Sequence, residues 1–589
     1  MSEPIIGNKP NKNNNKQRRN PLEGVFSKLS KISFKTAMII LGVFTAFLIF
    51  WQIYFSLISF SVYNVGLRAF IIILLLIWSV PMFVFYSKNR KTEVKKMAAF
   101  NKVHWGWKIP AGIAAVMIIV CICLAIFTTP MFMAKSYNSM ISVQKKEGTA
   151  ENPVKEFTEE VDDFYEGNMK VAIIDKSFAA RLGEKVLGES SGGYASQFEI
   201  NDYTLIYYKD SLYWVGALEP KGFFQWTSSS KTGSPGYVLV DATQTDENAK
   251  AELVQTHKLK YTPGAYLWHD AERQMYFSRM GALRENELGF ELDENGVPYY
   301  TQVVYKKKFG ITSGDDAIGI IVMNATNGDC NYYTLDKAPE WLDNVQSHSM
   351  ILKQLNYWGE YSNGYFNTWF AKKEVNNTTA GYNYVYNKGH FYITTGITAK
   401  SSDDAIIGMV LSDLRTKETT MYNMVGATER AAMTSAQGIQ EASAAGYTAS
   451  FPALINFAGV PTFYMALKDS AKNIKMYAFV NVQEYTSKLV AGNTPEEAKA
   501  KYYEVIKNDI NNKPVAPSGE EKEAVITRIA QYNDGITYFY LQIGDEVYDI
   551  SIKIIGTTTN QIYRQFKGNQ KLSDVKTLIE LYTNSQTQN

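Results

Sequence analysis

The sequence predicts an α+β membrane protein: three N-terminal transmembrane helices, several small units of helix plus antiparallel sheet, and a small β-rich domain at the C-terminal end. Three observations carry that prediction. Three apolar runs of spanning length lie within the first 134 residues. Charge is partitioned, with residues 1–108 holding 16 Lys and Arg against three Glu and no Asp, and the remainder holding 44 basic against 55 acidic residues. Beyond residue 168, segments rich in Tyr, Val, Ile and Thr, broken by Gly, alternate with amphipathic helical patterns, as packed sheets and helices require.

Residues 1–35 contain NKPNKNNNKQRRN, too polar to bury a core, and read as a disordered basic cytoplasmic tail. The first apolar stretch starts only at Thr36, which suits an uncleaved anchor better than a secretion signal. Residues 36–134 then hold the three spans, at about 37–60, 67–86 and 109–134. Each approaches or exceeds the roughly 20 residues a helix needs to cross the hydrocarbon. No Asp, Glu, Lys or Arg lies deep in any of them, so a proton or ion path has nothing to run along. Eight Lys and Arg precede the first run and seven lie between the second and third, whereas the short link between the first two has only Arg68. By the positive-inside rule the tail is cytoplasmic and everything after about residue 134 is extracytoplasmic. Trp105 and Trp107 fall where an interfacial aromatic belt is expected. The basic excess is thus a topology signal, and the acidic remainder excludes nucleic acid as an expected partner.

Residues 135–168 are polar and charged and read as a stalk. The region 169–510 repeats a helix-then-hairpin pattern. Helices are expected from Asp175 to Gly188, Asp270 to Asn286, Pro339 to Leu355, Thr428 to Gly446, and from Thr494, where Pro495 and Glu497 complete a capping box. Aromatic strands follow at Lys209–Leu218, Asn295–Tyr305, Lys388–Ile397 and Ala458–Leu467, each succeeded by a second apolar strand that ends in an Asp or Asn turn. Residues 511–520, NNKPVAPSGE, read as a linker, and 521–589 as the small β-rich domain.

The pieces IGIIVMNATNGDCNYYTL (318–335) and FPALINFAGVPTFYMALKDS (451–470), the latter preceded by an Ala-rich helix, resemble PepSY domains. That resemblance implies an extracytoplasmic binding or inhibitory module of bacterial membrane and secreted proteins, with no catalytic residues. The strand succession after Glu520 resembles a small OB-like barrel, a fold that hosts oligonucleotide and sugar binding.

Candidate chemistry is sparse. Gly188-Glu189-Ser190-Ser191-Gly192 matches the nucleophile-elbow pattern, but a helix precedes it where a strand is needed. The five His show no metal-binding spacing, and no metal site or cofactor is expected. His269, beside Asp270, and His348 have no local partner. Asp315-Asp316 and Asp403-Asp404 read as solvated turns between strands. Cys121 and Cys123 lie in the third apolar run and Cys330 stands alone, so no disulfide framework exists. A Cys-poor exported domain fits a bacterial envelope.

The binding candidate is the run NYWGEYSNGYFNTWF, in which Trp358, Tyr361, Tyr365 and Trp369 present flat rings suited to a sugar or an aromatic-rich interface. The competing expectation is that these rings pack the core behind a helix. The expected function is therefore a non-catalytic, membrane-anchored extracytoplasmic binding or regulatory protein, with the bilayer, an envelope protein or cell-wall glycan as partners. The alternatives are an envelope hydrolase whose site assembles only in three dimensions, or a subunit of a multi-protein membrane assembly.

Overall fold

Three helices are long and apolar enough to cross a membrane: α1 (Phe34–Tyr54), α2 (Val65–Arg90) and α3 (Met97–Phe127). They are seen in a computed structural model that describes residues 34–90, 97–149, 152–190, 192–243, 250–400 and 402–511, together with four strands between 525 and 566. Within the described spanning windows few side chains are buried inside the chain, as expected of helices solvated by lipid. The basic tail and the linker lie outside the described residues, except for Phe34 and Lys35, which open α1, and Asn511.

The helix ends differ from the apolar runs. The first run continues to Phe60, but α1 stops at Tyr54 and Leu57 adopts a left-handed backbone. The third helix starts at Met97, well before the run. It ends at Phe127, because Thr129 is extended and Pro130 has no N–H to continue the ladder. Pro130 instead opens a new helix, α4 (Pro130–Asn138).

The expected stalk is a correction. Residues after α4 do not form a separate stem but enter the folded body directly. Val143–Lys146 pairs in parallel with Thr419–Tyr422, and α5 (Lys155–Glu160) buries Phe157. Asn456 clasps the next turn through bonds from its amide to the Thr158 and Val161 carbonyls. Val154, Phe157 and Val161 are buried, and Glu160 and Asp163 accept bonds from Tyr422 and the Ala458 N–H.

Residues through Ile510 form one unit, in which helix-plus-meander modules follow in chain order. Helix α6 (Lys176–Glu189), capped by Asp175, precedes a four-stranded antiparallel sheet of 204–208, 211–217, 237–241 and 251–254. A short helix, α7 (Phe223–Ser229), lies within that module. Helix α8 (Ala271–Ser278) precedes a second sheet built on the long hairpin of 298–309 and 313–324. Helix α9 (His348–Glu360) precedes a third, centred on 390–399, 402–413 and 419–427. Helices α10 (Glu429–Gln437) and α11 (Gln440–Ala445) precede a fourth, centred on 460–468 and 474–481. The last helix, α12 (Pro495–Asn511), buries Ala498, Tyr502 and Ile506 at helical spacing. Thr494 caps it, accepting the Glu497 N–H at 3.1 Å, while the Glu497 carboxylate takes the Asn493 N–H at 2.8 Å, one residue earlier than a standard box.

Strands of the first sheet are buried on both faces. Leu205, Trp214, Val238 and Val240 join the large core shared with the third and fourth sheets. Ile206, Val215, Tyr237 and Leu239 point the other way into the core shared with the second. This two-sided burial explains their near-continuous apolar composition.

Other expectations shift for local reasons. The helix expected from Pro339 begins only at His348, because Ser347 supplies the cap by accepting the Met350 N–H at 3.2 Å. Val345, assigned to that helix, is buried in the preceding loop. The helix expected over 428–446 breaks at Gly438 and ends at Gly446 in left-handed conformation. Asp315-Asp316 and Asp403-Asp404 sit within strands 313–324 and 402–413, not in turns. Asp316 is paired: burial pushes its carboxyl up, but bonds from Lys308 and Lys417 outweigh this and hold it below the usual range.

Residues 511–589 form a separate unit. Its described strands, 525–531, 536–543, 546–554 and 562–566, make an antiparallel meander in chain order.

Candidate functional site

The first, second and third sheets meet around one loop, residues 338–346, and a cleft of about 330 Å³ opens beside it. Charge anchors the loop from three directions. Arg415, on a turn of the third sheet, donates to the carbonyls of Ala338, Pro339 and Leu342 at 2.7–3.0 Å. Glu291, on the second sheet, accepts the N–H groups of Asp343 and Asn344 at 2.7 and 3.2 Å. Asp343 in turn accepts the Tyr207 N–H of the first sheet at 2.6 Å. Burial raises the pKa of both carboxyls and the neighbouring Glu291 raises that of Asp343 further; the backbone N–H bonds and the Arg415 cation oppose the rise without cancelling it.

The held loop delivers Ser347 and His348 to the cleft. The Ser347 hydroxyl donates to Glu285 at 2.6 Å, and Ser349 donates to the same oxygen at 2.6 Å. His348 Nε2 lies 3.6 Å from the Glu287 carboxylate. Its ring faces Tyr382 at 5.0 Å, and Tyr384 stands edge-on to Tyr382 at 5.6 Å. These tyrosines are two apart on an extended segment, so both rings project from one face. Burial raises the pKa of both phenols, keeping them protonated as donors. Lys176 and Asp202 pair at the opposite rim. The cleft therefore combines an aromatic wall with carboxylates, hydroxyls and an imidazole, a set suited to a polar ligand with a flat face.

The arrangement does not assemble a nucleophile. Ser347 is 3% exposed and its oxygen is occupied by the helix cap and by Glu285. Ser190, in the elbow-like pattern, follows the end of α6 and donates to Leu187 O at 2.7 Å, so helix precedes it as the sequence indicates. His269 stands edge-on to Trp226 and Tyr261, and burial lowers its pKa. Among the described residues, no group of three or more His, Cys, Asp or Glu is placed to hold a metal ion.

The four aromatic candidates lie elsewhere and separate into two groups. Trp358 packs half-buried against the main core, with the Lys145 ammonium 5.4 Å from its ring and its carbonyl accepting from Asn138 at 2.6 Å. Tyr361 sits between Tyr357 and Tyr365, at 6.0 and 6.3 Å, on the side of α9 that meets Tyr137 of α4. Trp369 is 68% exposed beside Phe366 and Phe370. None of the four lines the cleft.

Of the cleft residues, sequence reasoning had singled out only His348. The Ser347 cap and the Tyr382/Tyr384 alternation were readable signals, but Glu285 and Glu287 come from a different module and nothing local links them to His348. No protein-family model matches the chain, and no curated protein matches it.

Proposed function

We propose that this membrane protein is an extracytoplasmic binding or regulatory protein of the bacterial envelope, held by three spans, whose ligand enters the cleft between the first three sheets. The orientation rests on the Lys and Arg flanking the spans, with fifteen on the segments read as cytoplasmic and one on the short link. The observation that carries the binding role is the wall of His348, Tyr382 and Tyr384 facing Glu285 and Glu287: shaped, donor-rich and held in place by three sheets. Rings of this kind stack on sugars or peptide groups while the carboxylates and imidazole fix orientation. The PepSY resemblance supports the same non-catalytic role.

A photo-crosslinking residue at Tyr382 in intact cells tests the reading. Capture of envelope glycan or an envelope protein, abolished by His348→Ala, is the expected outcome. Capture of cytosolic proteins, or of nothing, would overturn it. Topology is checked independently with Thr92→Cys and Glu441→Cys in a background lacking the native cysteines. A membrane-impermeant maleimide should label Glu441→Cys on intact cells and Thr92→Cys only after lysis.

A second reading, an envelope hydrolase, draws on the convergence of Ser347, His348, Glu285 and Glu287. The occupied, buried Ser347 hydroxyl weighs against it. Hydrolysis of an envelope substrate that is lost in both Ser347→Ala and His348→Ala would favour it.

A further inference from the structure

Two groups of exposed aromatic side chains lie beside the ends of the spans. At the end of α1, Trp268 stands edge-on to Tyr54 at 5.6 Å, and Arg273 donates to the Tyr54 carbonyl at 3.1 Å. Around them α8 is tied to the turn between α1 and α2: Tyr276 donates to Ile58 O, and Phe60 N–H to Met280 O, at 3.0 and 2.8 Å. Two residues before Trp268, Tyr266 stands edge-on to Phe223, rings 5.4 Å apart, and Phe223 adjoins Phe224, which is 82% exposed.

The second group adjoins α3. Thr128, the first residue past that helix, bonds to Thr312 at the tip of the long hairpin, and its carbonyl accepts the Tyr137 hydroxyl at 2.7 Å. Ring contacts then run from Tyr137 through Tyr361 and Tyr365 to Phe366, and Phe370 is 82% exposed. The loop carrying these rings is built. Lys372 and Glu374 take left-handed backbone conformations, costly for residues with a Cβ, and the Asn367 side chain braces them with two bonds to the Lys373 backbone. A braced, strained loop that leaves Trp369 and Phe370 in the open has no account in the fold's own packing.

We propose that both aromatic loops insert into the headgroup region of the bilayer, seating the folded body on the leaflet that the spans leave. Tryptophan and other aromatic rings favour that depth, and Lys372 and Lys373 beside the second loop suit anionic lipid phosphate. The bilayer is the occupant rather than a partner protein because each patch starts where a spanning helix ends, at Tyr54 and at Thr128 just past Phe127. This inference rests on α1–α3 spanning the membrane, not on the cleft or on which side the body faces.

The test uses the full chain in phosphatidylethanolamine/phosphatidylglycerol vesicles, with Cys121, Cys123 and Cys330 replaced by Ala. An environment-sensitive fluorophore is placed at Phe224→Cys, Phe370→Cys or, as an exposed control, Glu441→Cys. Lipids carrying a shallow nitroxide should quench the first two probes and leave the control bright, and aqueous iodide should do the reverse. Replacing both Lys372 and Lys373 by Gln should reduce lipid quenching at Phe370→Cys and leave Phe224→Cys unchanged. Probes at 224 and 370 that iodide quenches freely overturn the proposal. So do probes shielded from both quenchers, which would assign the patch to a protein or a second copy. Extraction of the chain by alkaline carbonate would overturn the spanning reading as well, whereas retention with iodide-accessible probes defeats this inference alone.

Discussion

Glu219→Gln isolates the energetic effect of one buried carboxyl. Glu219 is 6% exposed, accepts from Asn201 Nδ2 at 3.1 Å, and has no cation beside it among its bonded partners. Burial pushes its pKa up to about 7, against the pull of the Asn201 and Gly264 hydrogen bonds. An acid whose folded pKa lies above its unfolded value stabilises the fold while protonated, so that stability is full below the unfolded pKa and is lost as pH rises through the folded one. A rise of roughly 2.5 units at 1.36 kcal/mol each gives about 3 kcal/mol lost between pH 4.5 and 8. With an unfolding entropy of about 2.1 cal/mol/K per residue, a body the length of residues 140–510 responds by about 4 °C. Differential scanning fluorimetry of the detergent-purified protein should therefore show Glu219→Gln losing about 4 °C less than the parent across that range. Parallel pH profiles for parent and variant would refute the assignment of a raised pKa to this residue.

Other outcomes follow from the same packing. Arg415→Ala removes the cation facing Glu291 and Asp343 and takes a donor from three carbonyls, so stability should fall by about 3–5 kcal/mol, more at pH 8 than at pH 5 because the two carboxyls then ionise without compensation; thermal scans at both pH values check this. Trp358→Ala should cost about 2 kcal/mol through lost half-buried packing, whereas Trp369→Ala should leave the melting temperature unchanged, and equal effects would contradict their different burial. Thr494→Ala should cost about 1 kcal/mol and speed amide exchange in the first turn of α12, with little change elsewhere.

The membrane architecture and the alternation of helices with antiparallel hairpins were legible in the sequence because both depend on local pattern. An apolar run has to be satisfied within its own length in lipid, and period-two or period-3.6 burial is written into consecutive residues. The caps at Asp175, Asp270, Thr428 and Thr494 were legible for the same reason: each is satisfied by an N–H three residues on. What needed the tertiary structure was everything that joins distant modules. The stretch expected to be a stalk is a strand because Thr419–Tyr422 offers it an edge. The start of α9 is delayed because Arg415 and Glu291 bond the backbone of the loop before it. The cleft exists because Glu285, Ser347 and Tyr382, separated by up to 97 residues, are brought together where the first sheet shares one core with the third and another with the second. The rings of the aromatic run part company, since helical spacing turns Trp358 and Tyr361 toward the body while the braced loop turns Trp369 away. Such contacts carry no local periodicity; they are decided by which faces of separate elements find each other when apolar surface is buried.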